Sequence, residues 1–382
     1  MSESFVAKKP RSFVIGSSTG LWLLTALACL SDNVQQVENN NSAPAILSQT
    51  KTNFEILYHI ETVPAKRIRA TMSETQFAPK LEADLWGVLA GCPPECEAQN
   101  SVKASLRSID SPQARTVRIN DKSPLRQKVF FLSYPPATEN QKHTVTVEAV
   151  YELTLMSRRL VRGSPATAIT PLNHVERAAF LLSAGDADYA TTTFRSWLCA
   201  NGLLRRDGEL DLDFARRSFA FIAQRFHYNW VPGSPSKASQ VCLQGWSHCG
   251  PLSGLFVATM RANGIPARVL VGRWAASSGP PEDRFRDRDH VKAEFFAQSI
   301  GWVPVDISSA LTQHNVNANF GHDNGDFIVM NFDFLAFDDV PRAFQNVQCP
   351  WLFGKYHGSW DGWTDTRDLK VVTLSLADAS PK

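Results

Sequence analysis

The sequence predicts an α+β protein: a core of helices packed on an antiparallel sheet, preceded by a β-rich, sandwich-like domain. Three observations predict it. Strand-like alternation is concentrated in residues 53–160. Helical spacing takes over between 172 and 230. From His248 to Asp306 the chain then sets a cysteine ahead of a helix, and a histidine and an aspartate on the two strands of a hairpin. The length of 382 residues is enough for two domains and one sizeable core.

The N-terminus has the layout of an export signal. Lys8, Lys9 and Arg11 form a basic start, Ser12–Ala28 carries no charge, and Ala26-Leu27-Ala28 fits a small-x-small cleavage site. Residues 1–28 are therefore expected to be a signal peptide, with the protein exported to the periplasm or cell envelope. Cys29 follows directly, so a lipoprotein anchored at Cys29 and plain secretion stay open side by side. An uncleaved membrane helix is the third reading, although the uncharged run is short for a span. Residues 29–50, rich in Asn, Gln and Ser, read as a linker.

Residues 51–165 are expected to form the β-rich domain. Its clearest strand is Val145–Leu155, apolar at odd positions and mostly polar at even ones, as in a sheet with one buried face. Phe54–Ile60 and Val129–Leu132 are further strands. Cys92-Pro93-Pro94-Glu95-Cys96 lies between them and suits a local disulfide or two thiols; a metal site would need two more ligands. Of the seven cysteines, setting aside Cys29 and Cys249 leaves five, so at least one stays unpaired within a monomer.

The core is placed at 172–335, with 336–382 as an extension packing on it and Leu369–Leu376 as a last strand. His174–Ala184 and Tyr189–Cys199 read as short helices. Leu212–Phe226 is the strongest helix: Ala215, Phe219, Ile222 and Phe226 form a stripe, Arg216, Arg217 and Arg225 face away, and Glu209, Asp211 and Asp213 favour its N-terminal end.

The next helix carries Leu252, Leu255, Phe256 and Met260 on one apolar face. Pro251 suits its first turn, and Gly264 before Ile265-Pro266 stops it. Cys249 is thus expected at the helix N-terminus, where free N–H groups and the helix dipole favour a thiolate. Ala267–Trp274 is a buried strand, and 275–289 a surface loop. His290–Phe296 alternates, with His290, Lys292 and Glu294 on one face; Gln298–Gly301 turns the chain, and Trp302–Val305 returns. A turn centred there pairs positions whose numbers sum to about 597, which sets His290 opposite Asp306 or Ile307 at roughly 5 Å between Cβ atoms. A carboxylate so placed fixes the imidazole tautomer and supports the imidazolium.

These residues resemble the transglutaminase-like superfamily, with its papain-like Cys-His-Asp core, in a bacterial exported form. The matching positions are Cys249, the run Arg261-Ala262-Asn263-Gly264-Ile265-Pro266-Ala267-Arg268, His290, and Gly301-Trp302-Val303-Pro304-Val305-Asp306. The resemblance implies a thiol enzyme that acts on amide bonds through a Cys249 thioester, by hydrolysis or acyl transfer, with His290 as base and Asp306 as its partner. The alternative it leaves is a catalytically silent binding or scaffold protein that keeps the fold. Lys292 departs from the aromatic residue common two positions after the histidine.

An acyl transfer needs donors for its oxyanion. The Cys249 N–H is one; Gln244 and Tyr228 are the side-chain candidates. His248 adjoins Cys249, but neighbouring side chains diverge, so it makes a poor base. A zinc site from Cys242, His248 and Cys249 follows no common ligand spacing, and no cofactor is expected. His322-Asp323-Asn324-Gly325-Asp326 reads as a solvated acidic turn, and Trp351, Trp360 and Trp363 as packing residues of the tail. A net charge of +2 without Lys/Arg runs gives no footprint for nucleic acid. The expected partner is a protein or peptide amide substrate. Contact with a membrane would come only through an N-terminal lipid or an uncleaved signal.

Overall fold

The computed structural model describes residues 57–78, 82–110, 115–120, 127–136, 143–164, 168–231, 233–277, 289–313, 317–333, 351–357 and 364–376. The export signal, Cys29, the linker, Cys349, Trp360 and Trp363 lie outside the described residues.

Six strands come first: β1 (Tyr58–Ala78), β2 (Glu82–Gly91), β3 (Gln99–Ser108), β4 (Arg115–Asn120), β5 (Lys128–Tyr134) and β6 (His143–Arg162). Four helices follow: α1 (His174–Ala179), α2 (Thr192–Ala200), α3 (Asp211–Arg225) and, past the short strand β7 (His227–Tyr228), α4 (Ala238–Gln244). Next come β8 (Trp246–Ser247), α5 (Cys249–Ala262), β9 (Ala267–Trp274), β10 (Asp289–Ala297), β11 (Gly301–Val305) and α6 (Ile307–Gln313). The chain ends with β12 (His322–Asp323), β13 (Phe327–Phe332), β14 (Trp351–His357) and β15 (Thr364–Leu374).

The N-terminal strands build two sheets. One runs β12-β6-β1-β15 with β3 also on β6; the other runs β14-β2-β5-β4. The alternation in β6 does what it predicts: Val145, Val147, Ala149, Tyr151, Leu153 and Leu155 are all buried. They meet Val88, Phe130, Leu132 and Tyr134 of the second sheet, which makes the sandwich. The tail adds strands to both sandwich sheets. β15 pairs along β1 from Arg67↔Leu374 to Phe77↔Thr364 and β14 pairs with β2, while Val371 of β15 also exchanges two hydrogen bonds with Ser277 just past β9. The reason is edge closure: long β1 and β2 would otherwise offer unpaired backbone edges.

The core sheet is antiparallel, in the order β11-β10-β9-β13. Against it lies α5, buried from Gly250 to Arg261. A single apolar face is the expectation; burial on all sides is the finding. Gly250, Ser253, Gly254 and Ala258 are small enough to let neighbours close on the faces that Leu252, Phe256 and Met260 do not fill. α3 presents the predicted stripe of Ala215, Phe219, Ile222 and Phe226 to the same core. The end of α5 follows its sequence signal, with Gly264 at φ +74°. Arg261 then ties the helix to the next strand: it donates to the carbonyls of Ala267 (2.9 Å) and Leu182 (2.9 Å) and to Asp333 (2.7 Å).

Sandwich and core are joined by buried polar groups. Arg158 of β6, fully buried, donates to Glu294 of β10 at 2.7 Å and has Asp323 of β12 at 3.6 Å. Arg268 of β9 holds Glu294 from the other side and Glu97 at 2.6 Å. Asp323, expected in a solvated turn, is instead 3% exposed, because β12 is drawn into the sheet beside β6. Two glutamines cover the outer edge of β13: Gln99 exchanges two hydrogen bonds with Val329 and Gln127 two with Phe332. Glu294→Gln should therefore destabilise the protein by about 2 kcal/mol or more, since it removes the carboxylate two buried guanidinium groups share and leaves Arg158 with Asp323 and Arg268 with Glu97. Arg69→Ala, at a pair with Glu152 whose arginine is half exposed, should cost under about 1 kcal/mol. Urea unfolding of the two variants checks the contrast.

Candidate active site

Cys249 opens α5, and His248 is the N-cap in extended conformation (φ −103°, ψ −174°). The sulfur is half-buried. Burial pushes the thiol up, but hydrogen bonds from the His248 and His290 side chains and the charges of both rings outweigh it and bring it down to about 7. The other two thiols with a clear shift move the opposite way: burial raises Cys96 and Cys242 to about 12. Cys92 and Cys96 are held as two thiols rather than one disulfide, and Cys199 is disulfide-bonded. Among the described residues, Cys242, His248 and Cys249 do not assemble into a metal-binding group.

His290 lies on β10, which pairs with β9 in the register His290↔Gly272. A side chain at Gly272 would collide with the Ile328 carbonyl of β13, so glycine is what lets the strands close beside the histidine. The His290 Nε2 is 2.8 Å from Asp306 Oδ2. That leaves Nδ1 for the sulfur. Burial opposes the imidazolium, yet the Asp306 carboxylate and Cys249 overcome it and raise His290 to about 9. Its ring stacks on Trp274 (centroids 4.7 Å apart, planes 21° apart) and meets Phe327 edge-on at 6.0 Å.

The β10–β11 pairs run from Ala293↔Val305 to Ala297↔Gly301, a sum of 598 rather than the expected 597. Asp306 therefore projects beside Lys292 and reaches His290 diagonally, from the residue just past β11. A second role holds it there. Asp306 caps α6, accepting from the Ser309 N–H (2.9 Å), the Ser309 hydroxyl (2.8 Å) and the Ser308 hydroxyl (3.1 Å). Burial penalises the carboxylate, but His290, Lys292 and these donors hold it well below the usual carboxylate range. The Asp-x-Ser-Ser run after a strand is the signal by which this cap could have been read.

Tyr228 and Gln244 part company. Tyr228, on β7 paired in parallel with β8, is raised by burial first and then by the charges of Cys249 and Asp306. Gln244 is exposed at the last position of α4, just before the left-handed Gly245. His248, expected to stand apart from Cys249, is among the groups whose interaction lowers the thiol. Behind it stands Asp186, whose carboxyl burial and neighbouring Asp188 push up to about 6, against the opposing charges of Lys237 and His248.

The sequence model of the transglutaminase-like superfamily matches residues 199–307, which include all of Tyr228, Gln244, Cys249, His290 and Asp306. No curated protein matches this chain. Among solved structures, the chain is similar to a candidate cysteine protease from Cytophaga hutchinsonii: 14% identity, TM-score 0.52, covering 84% of this chain and 93% of that one. At that identity the likeness is one of fold. The periplasmic domain of TgpA from Pseudomonas aeruginosa is also found, at 13% identity, TM-score 0.32 and coverage of 67% and 92%. A candidate protease from Parabacteroides distasonis follows at 10% identity, TM-score 0.23 and coverage of 58% and 62%. Scores this low add nothing to the account of the site. The matched motif, the helix–sheet core and the shared fold together place a transglutaminase-like superfamily domain in this chain.

Proposed function

We propose that the protein is an exported thiol enzyme that cleaves or transfers amide-linked acyl groups through a thioester on Cys249. The observation that carries this reading is the His290–Asp306 hydrogen bond of 2.8 Å, and the mutual shifts of His290 and the Cys249 thiol at the start of α5 support it. With a thiol near 7 and an imidazole near 9, the pair is a thiolate and an imidazolium between those values. The thiolate attacks the amide carbonyl carbon and a C–S bond forms. The Cys249 N–H at the helix start supports the oxyanion; so does the Tyr228 phenol, whose raised pKa keeps its proton available. The imidazolium passes its proton to the amine nitrogen as the C–N bond breaks. Water, losing a proton to neutral His290, then attacks the thioester and releases a carboxylic acid and the thiolate. An amine in place of water gives a new amide. Export is proposed from the basic start, uncharged run and Ala26-Leu27-Ala28 of the sequence, with lipid on Cys29 as a variant of it. A protein or peptide amide is the proposed substrate.

Labelling with iodoacetamide across pH tests the site. The rate should rise with a midpoint near 7, about two units below the ordinary thiol value of 9.0, because the thiolate forms that much earlier. Turnover of an amide substrate should follow a bell, gained as the thiolate forms near 7 and lost as the imidazolium disappears near 9. A labelling midpoint at the ordinary thiol value would sink the reading. Ammonia release measured against amine incorporation separates hydrolysis from cross-linking.

A further inference from the structure

Lys292 stands two residues beyond His290, on the same face of β10, and is only 6% exposed. Its ammonium has Asp323 at 3.5 Å and Asp326 at 3.9 Å. It also lies 4.6 Å from the centre of the Trp274 ring and 4.8 Å from that of Phe327. These are the two rings that carry His290, so the ammonium sits no more than about 9 Å from the imidazole. A surface lysine would turn its charge to water; this one is kept inside by two aromatic faces and two carboxylates.

We propose that Lys292 is a positioning residue for the reactive group: its ammonium fastens Trp274, the indole on which the His290 ring stacks, and sets a fixed positive charge beside Asp306 and His290. The inference rests on the reading of Cys249, His290 and Asp306 as that group. The other charges facing Lys292 are accounted for. Arg158 of β6 shares Asp323, Glu294 on the same strand is taken by Arg158 and Arg268, and Asp289 is paired with Arg273 at 3.5 Å. Asp306, just past β11, is the carboxylate toward which the lysine's field adds to that of His290. A fixed cation at this place favours the Cys249 thiolate and disfavours the His290 imidazolium. It therefore lowers both steps of the titration and brings the proton on His290 closer to being transferable.

The test is the pH profile of iodoacetamide labelling on the full chain, followed from pH 5 to 10 for wild type, K292M and K292R, with urea unfolding as the check on folding. In K292M both steps, thiolate formation and imidazolium loss, should move up by about half a pH unit or more, because a positive charge has gone. K292R keeps the charge and should leave both steps in place. Should K292M fail to fold, K292Q, which keeps a donor towards Asp323, carries the same expectation. A K292M or K292Q profile superimposed on wild type overturns the inference, and so does a K292R profile shifted as far as that of K292M. H290Q separates this from the reading beneath it. If H290Q abolishes the upper step while the lysine variants move nothing, only the role of Lys292 falls. If H290Q leaves the upper step intact, the reading of His290 falls with it.

Discussion

Cys249→Ser should abolish labelling at this position and lower amide turnover by about 10⁴-fold or more, with the fold intact. The hydroxyl is nearly isosteric with the thiol, but its oxygen does not ionise near neutral pH, so the hydrogen bonds from His248 and His290 have no anion to stabilise. Two other thiols are poor substitutes for it: Cys96 and Cys242 are held protonated up to about 12 by burial, and Cys96 lies in the ion cluster between sandwich and core. The measurement is mass-spectrometric mapping of the labelled cysteine together with a turnover assay. Turnover that survives in Cys249→Ser, with labelling elsewhere in the chain, would remove this cysteine as the nucleophile. A catalytically silent scaffold would show the reverse pattern: labelling lost in the variant, and no turnover in the wild type to lose.

Asp306→Asn should lower turnover by about 10³- to 10⁴-fold. The amide keeps the shape of the carboxylate but removes the charge that supports the imidazolium and offers N–H groups where acceptors are needed. His290 would then titrate lower than about 9, so the pH interval in which both are ionised narrows from its upper side. The same substitution weakens the cap of α6, because the donors of Ser308 and Ser309 converge on the two carboxylate oxygens. A merely structural Asp306 would show the stability loss with an unmoved labelling profile. A narrowed profile at similar stability is the signature of its role beside His290. The profile of Asp306→Asn matching that of wild type would end the assignment.

Much of this was legible before any coordinates, where the signals are local. The stop of α5 at Gly264, the period-2 burial of β6 and the apolar stripe of α3 are each written within one element, and each formed as read. The candidate site was also legible, since a strand–turn–strand spacing limits which residues can face one another. The shift of the hairpin register by one position shows the grain of such reasoning. Asp306 comes to His290 diagonally rather than directly across, and it also caps the start of α6, whose only local sign is the Asp-x-Ser-Ser run. Residues whose role depends on distant strands were misread. Asp323 belongs to a short acidic run that looks solvated, yet pairing with β6 carries it inside. The pairing of β15 with β1 has no local sign, because strands nearly 300 positions apart leave no trace in each other's sequence.

The chain on its own determined the order of chemistry: a thiol at a helix start, an imidazole on one strand and a carboxylate at the end of the next. Periodicity, capping and turn residues act over a few positions, and those are the distances at which these groups are set. Only the tertiary structure decided their surroundings: the tryptophan and lysine beside His290, and the guanidinium groups that bolt the sandwich to the strand that carries it. Those depend on burial, because charges and rings act strongly on one another only where water has been excluded, and which residues lose their water is settled by the packing of sheets far apart in the sequence.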